Sequence, residues 1–156
     1  MIVLGIDPGS TRIGFGVIEK GNRNFVCLAY GTIDNPGLSR GNDLKNTSKE
    51  LKELIARFSP ELVVVERLFF SKNQKTAMAV SETRGVILLT CAELHIPVQE
   101  VTPLQVKQAV ASYGNADKKQ VQAMVQTIFG LKEAVKPDDA ADALALALCY
   151  ATTWGS

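Results

Sequence analysis

Apolar positions along the chain fall into runs of two periods, and together they predict a mixed α/β fold. Three strand-like runs come first: Ile2 to Asp7, closed by the turn Pro8-Gly9-Ser10, then Ile13 to Glu19, then Phe25 to Ile33 after the break at Gly21-Asn22. Connections this short join antiparallel neighbours, so the three form a meander. Leu44, Leu51, Leu54, Ile55 and Phe58 then recur at helical spacing until Ser59-Pro60 stops the helix. The run Leu62 to Glu66, LVVVE, lacks polar alternation and reads as a buried strand. A helical pattern covers Asn73 to Leu94, a short strand covers Pro97 to Val101, and Thr102-Pro103 opens a helix with Pro in its first turn. Two further helices are predicted near Asp117 to Phe129 and Pro137 to Tyr150.

The order βββ-α-β-α-β-ααα sets a meander beside a right-handed parallel crossover. It predicts a five-stranded mixed sheet with helices on both faces, the ribonuclease H-like order of the α/β class. No repeat, low-complexity run or linker interrupts the pattern, so residues 1–156 are expected to form a single ribonuclease H-like domain. A chain of 156 residues buries about two thirds of its unfolded surface and needs neither disulfide nor structural metal. Cys27, Cys91 and Cys149 are odd in number and each is flanked by apolar residues, the usage of small buried hydrophobes in a reducing compartment. The start MIVLGID lacks the features of a secretory signal, and the longest apolar stretch, Ala140 to Ala151, contains Asp142. The expectation is a cytoplasmic protein with no membrane partner.

Net charge changes the picture little: 17 basic against 16 acidic residues give +1. Between Arg67 and Gln120, however, seven basic residues face four acidic ones. Such an offset suits a basic surface beside an acidic pocket, and equally a solvated face.

The acidic residues carry the chemistry. Asp7 closes the first strand and Glu66 the fourth, each after an uninterrupted apolar run. In adjacent parallel strands both carboxylates emerge at one sheet edge, where open α/β sheets bind ligands. Asp139 and Asp142, three residues apart in the last helix, share one face. Four converging carboxylates repel one another unless cations sit among them. All-oxygen ligation selects Mg²⁺ or Mn²⁺, since Zn²⁺ recruits His or Cys and the single histidine is His95. Taken alone, an Asp after a strand is as readily a turn former, and Asp139 after Pro137 a helix cap. Glu66 has no such duty at the end of a Val run, so the pair Asp7 and Glu66 is the informative one.

With these residues in view, GIDPGSTRIGFGVIE, VVVERLFFSKN, VKQAVASYGNADKKQVQ and DDAADALALALCYA, in order and at matching separations, resemble the RuvC family of bacterial Holliday-junction resolvases over essentially the whole chain. The first motif alone is weak, because sugar kinases and actin open similarly, but those proteins need two such domains. The resemblance implies that Asp7, Glu66, Asp139 and Asp142 are the metal-binding, catalytic carboxylates, holding two Mg²⁺ ions with Mn²⁺ able to substitute. Asp138, next to Asp139, is the competing register, though the family's D-A-A-D spacing matches Asp139 and Asp142. Phe69 takes the place of an aromatic that stacks on unpaired bases, with Phe70 as its neighbour. Lys107 and Lys118 match basic positions at the DNA backbone, and Lys119 adds a charge beside them. The alternative roles are core packing for Phe69 and plain solvation for Lys107.

The implied activity is resolution of four-way DNA junctions by paired symmetric nicks, through two-metal phosphodiester hydrolysis leaving a 5′ phosphate and a 3′ hydroxyl, in homologous recombination and DNA repair. The junction's two-fold symmetry calls for a homodimer, and the RuvA–RuvB branch-migration complex is the implied partner. Ala77, Val80, Ile87, Leu88, Cys91 and Leu94 give the Asn73 to Leu94 helix an apolar stripe that suits either a dimer surface or an ordinary core face. Two other classes compete: another ribonuclease H-like nuclease, of the YqgF RNA-processing type or acting on RNA–DNA hybrids, and a non-catalytic nucleic-acid-binding or ATP-binding module. Four carboxylates beside phosphate have no use in binding alone, which weighs against the module.

Overall fold

The computed structural model describes residues 1–37, 39–67, 74–112 and 114–154. Five strands, β1 (Ile2–Asp7), β2 (Arg12–Lys20), β3 (Phe25–Asp34), β4 (Leu62–Glu66) and β5 (Val98–Val101), form one sheet of order β3-β2-β1-β4-β5. The meander pairs are antiparallel, while β1–β4 and β4–β5 are parallel. The helices are α1 (Arg40–Phe58), α2 (Gln74–Glu93), α3 (Pro103–Ala111), α4 (Lys118–Ile128) and α5 (Asp138–Thr153). Order, pairing and helix placement agree with the ribonuclease H-like expectation.

Alternation along the strands divides the core into two layers. Leu4, Ile6, Val63 and Val65 point toward α1 and α2, where they pack with Leu51, Ile55, Ile87 and Cys91. Val3, Leu62, Val64 and Val101 point the other way, onto residues of α3, α4 and α5. By the same period of two, Asp7 and Glu66 project on the α5 side. Both faces of β4 are therefore covered, which is why LVVVE carries no alternation.

Helix α5 lies directly on β1 and β2. A Cβ added at Gly5 would stand 2.0 Å from the carbonyl oxygen of Ala143, and one at Gly14 2.0 Å from that of Asp139. Only bare backbone permits this approach. Glycine at these points lets α5 sink onto the sheet, and its residues from Ala143 to Cys149 are all buried.

The apolar stripe predicted on α2 splits. Ile87 and Cys91 belong to the core, while the large apolar residues exposed on that helix include Met78, 71% exposed, and Leu89, 60% exposed. Cys91 and Cys149 are buried and free, Cys27 is half-buried, and His95 is an exposed residue in the turn after α2. Among the described residues no helix is long and apolar enough to cross a membrane.

Candidate active site

Register brings the first two carboxylates together. Ile6 of β1 pairs with Val65 of β4, and one residue further along each parallel strand stand Asp7 and Glu66. They face a cleft of about 210 Å³ whose walls come from three helices. Pro103, Val106 and Lys107 of α3, Lys118 and Val121 of α4, and Asp142, Ala145 and Leu146 of α5 line it.

Local sequence fixes where two of these helices start. Thr102 accepts a hydrogen bond from the Gln105 backbone N–H at 3.2 Å while Gln105 Oε1 accepts from Thr102 N–H at 2.8 Å, a reciprocal cap that starts α3. Asp117 and Gln120 repeat the device on α4, both bonds at 2.8 Å, which makes Lys118 the first residue of that helix. The cap of α5 is Pro137, with no side-chain bond. Asp139 is thus not a capping residue, and its acid has no such structural duty.

Asp139 is not among the residues that line the cleft. Its backbone rests on Gly14, the residue paired with Asp7 across β1 and β2. From there its charge still acts on Asp7 and Asp142. Asp138 turns outward: it is 65% exposed and meets Lys118 Nζ at 3.5 Å. The same ammonium lies 3.2 Å from Asp142 Oδ2. Lys118, expected at the DNA backbone, therefore reaches the carboxylates. Lys107 lines the cleft, and Lys119 is exposed on α4. Phe69 and Phe70 lie outside the described residues.

Electrostatics expresses the crowding. Burial, then repulsion by Asp142, Glu66 and Asp139, pushes the Asp7 carboxyl up to about 7, against a smaller pull from Lys118. Burial and Asp142 also raise Glu66, opposed by Lys107 and Lys118. Asp142 is raised chiefly by burial, although its bond to Lys118 works the other way. On Lys118 burial disfavours the charge, and the bonds and attraction of Asp142 and Asp138 outweigh it, so its pKa rises. Among the described residues no three carboxylates stand close enough to enclose an ion as their side chains are placed. What the group has is oxygen donors, negative charge in excess and the ammonium of Lys118 paired with Asp142. This donor chemistry fits a hard divalent cation.

Some features of the site were not anticipated from sequence. The apolar cleft wall of Val106, Val121, Ala145 and Leu146 has no signature separate from core. Arg12, held by Asp34 at 2.7 Å, feels the charge of Asp139 and stands on that side of the centre. The glycines under α5 did leave a signal, because Gly14 and Gly16 alternate within a strand run, the mark of a close backbone approach.

Comparison with known proteins gives a consistent result. Residues 3–150 match the family model described as crossover junction endodeoxyribonuclease RuvC. The protein of that name from Moorella thermoacetica is 50% identical over 153 residues, 97% of this chain and 92% of its own length. That of Caldicellulosiruptor saccharolyticus is 48% identical over 152 residues, covering 96% and 92%. Among solved structures, Thermus thermophilus RuvC in complex with Holliday junction substrate superposes with a TM-score of 0.91 at 39% identity, over 97% of this chain and 93% of that one.

Proposed function

The chain belongs to the RuvC family of crossover junction endodeoxyribonucleases, and from that premise we propose that it resolves four-way DNA junctions by paired symmetric nicks, in homologous recombination and DNA repair. We assign the whole of residues 1–156 to one ribonuclease H-like nuclease domain. The support for a hydrolytic centre is geometric: Asp7 and Glu66 end adjacent parallel strands, and Asp142 enters the same cleft from a helix laid on bare backbone.

Asp7, Glu66, Asp139 and Asp142 are the catalytic and metal-holding residues in this proposal. Two Mg²⁺ ions, or Mn²⁺ in their place, would supply a water of lowered pKa and stabilise the leaving oxygen of an in-line hydrolysis. Asp7 must shed its proton to take part, and with its carboxyl at about 7 it is poised to do so. Lys107, at the cleft wall, holds a phosphate oxygen of the scissile strand. Lys118 divides its charge between the carboxylates and the incoming backbone, and Lys119 contributes from outside. Each lysine that contacts phosphate adds to the salt dependence of binding. Phe69 stacks on an unpaired base, worth about 1 to 3 kcal/mol.

A homodimer matches the two-fold symmetry of the substrate, with the RuvA–RuvB branch-migration complex as partner and the cytoplasm as location. The test is a panel of labelled four-way junction, linear duplex and RNA–DNA hybrid, each incubated with Mg²⁺. Symmetric nicks confined to the junction are expected. Cleavage of the hybrid instead would establish another ribonuclease H-like nuclease, and no metal-dependent nicking at all would leave a binding module.

A further inference from the structure

Two arginines join the strand ends of the centre to one short stretch of α2. Arg40, at the start of α1, donates from Nη1 to the backbone oxygen of Ser10 at 2.6 Å. Ser10 lies three residues beyond Asp7. The other side of the guanidinium reaches α2: Nη2 meets the carbonyl of Ala79 and, at 2.9 Å, Thr83 Oγ1, and Nε lies 3.3 Å from Glu82. Thr83 is itself buried.

Arg84, the next residue of α2, pairs with Glu100 of β5. The other oxygen of Glu100 accepts from Arg67 Nε at 3.3 Å, and Arg67 directly follows Glu66. The backbone N–H of Arg67 is bonded at 2.7 Å to the carbonyl of Val101, so the chain leaving Glu66 is held at both side chain and main chain. All of this lies on the α2 side of the sheet, opposite the carboxylates, as the pairing of Val65 with Glu100 requires. Arg84 is only 20% exposed and its Nε is buried without an acceptor among the described residues. A cation placed so depends on Glu100 for compensation, and the pair is correspondingly sensitive to loss of either partner.

Resting on the metal-centre assignment above, we infer that Arg40 and Arg84 are positioning residues that set the separation of Asp7 and Glu66. The stretch Ala79 to Arg84 grips the chain leaving each strand, so a shift of α2 moves both carboxylates' supports together. Outer groups that orient ligands typically change metal affinity or activity by about 10- to 100-fold. Arg40 and Arg84 touch no reacting atom, and their effect is transmitted through Ser10 and through Glu100 and Arg67.

The test uses the full chain with Mn²⁺ alone, followed by electron paramagnetic resonance, and then with a labelled junction. Arg84→Met and Arg40→Met are expected to bind Mn²⁺ about 10- to 100-fold more weakly and to lose kcat by a similar factor. KM for the junction should hold, and excess Mn²⁺ should restore kcat. Arg84→Lys, which keeps the pair with Glu100, should recover most of the loss. A purely structural role would lower the melting temperature without changing Mn²⁺ affinity per folded molecule, and that result overturns the inference. Should Arg84→Met fail to fold, Glu100→Gln, equal in size and lacking only the charge, carries the same test. A wild-type chain that binds no Mn²⁺ and leaves junctions intact refutes the metal centre itself, whereas intact wild-type behaviour with unaffected variants refutes only the clamp.

Discussion

Asp7 concentrates the properties of the centre in one residue. Burial and neighbouring carboxylates push its carboxyl up to about 7 against an ordinary value of 3.8, so at about pH 5 to 6 the folded state holds a proton that the unfolded chain has released. Stability linked to Asp7 is therefore highest at acid pH and declines as pH climbs from about 4 to about 7. Melting temperatures measured in chelator across that window should fall, and Asp7→Asn should flatten the decline and raise stability at neutral pH. Cation binding runs the opposite way, since it requires the ionised carboxylate. Mn²⁺ affinity should thus rise with pH through 7 in the wild type. Replacing any one of Asp7, Glu66, Asp139 or Asp142 by its amide should lower cleavage by orders of magnitude while junction affinity persists or rises, as binding assays in Ca²⁺ would register. Asp138→Asn is the matched control: its carboxylate is on the rim with Lys118, so most activity should remain.

Among the elements, α5 decides whether the centre forms. Gly14→Ala sets a methyl group against the Asp139 carbonyl, where backbone has no room to give, and must lift the start of the helix. A cost of about 1 to 3 kcal/mol is expected from overpacking. The displaced Asp139 and Asp142 should lower kcat about 100-fold, the scale of a 1 Å misplacement. Gly85→Ala meets nothing within 4 Å on an exposed position of α2, and should instead stabilise by about 0.5 to 1 kcal/mol. Elements of this kind were legible in the sequence where local chemistry specifies them. The runs ending in Asp7 and Glu66, the helix starts near Thr102 and Asp117 and the acidic pair on α5 all emerged from spacing and turn residues, whereas the reciprocal caps at Thr102 and Asp117 came only with the structure. The cleft wall did not, because Val106 and Leu146 have the same composition whether they face core or cavity. The α2 stripe was ambiguous for a related reason. Ile87 and Leu89 are near neighbours of similar hydropathy, and only tertiary packing buries the first and exposes the second. The contact of Lys118 with Asp142 was not legible either, because sequence separation does not reveal that the first residue of α4 overlooks α5.

At the scale of the whole molecule, the reading of two-fold junctions predicts a dimer, and sedimentation equilibrium at micromolar concentration should give about twice the 16.9 kDa of one chain. A lone 16.9 kDa species would remove the homodimer from the proposal. The exposed Met78 and Leu89 of α2 are the residues to replace by polar ones in a test of that contact. Salt titration of junction binding should lose about one unit of log–log slope in Lys107→Ala, and an unchanged slope would take Lys107 off the DNA. The burial of α5 has a further consequence in time. Ribosomes deliver β1 first and α5 last, so throughout synthesis one face of the sheet waits for the helix that covers it. At about 5 to 20 residues per second, the interval between the translation of Asp7 and that of Asp142 is on the order of ten seconds. During that interval the nascent chain lacks both the helix that covers one face of its sheet and a complete set of acids, so the last helix to be made closes the core and completes the centre in one step.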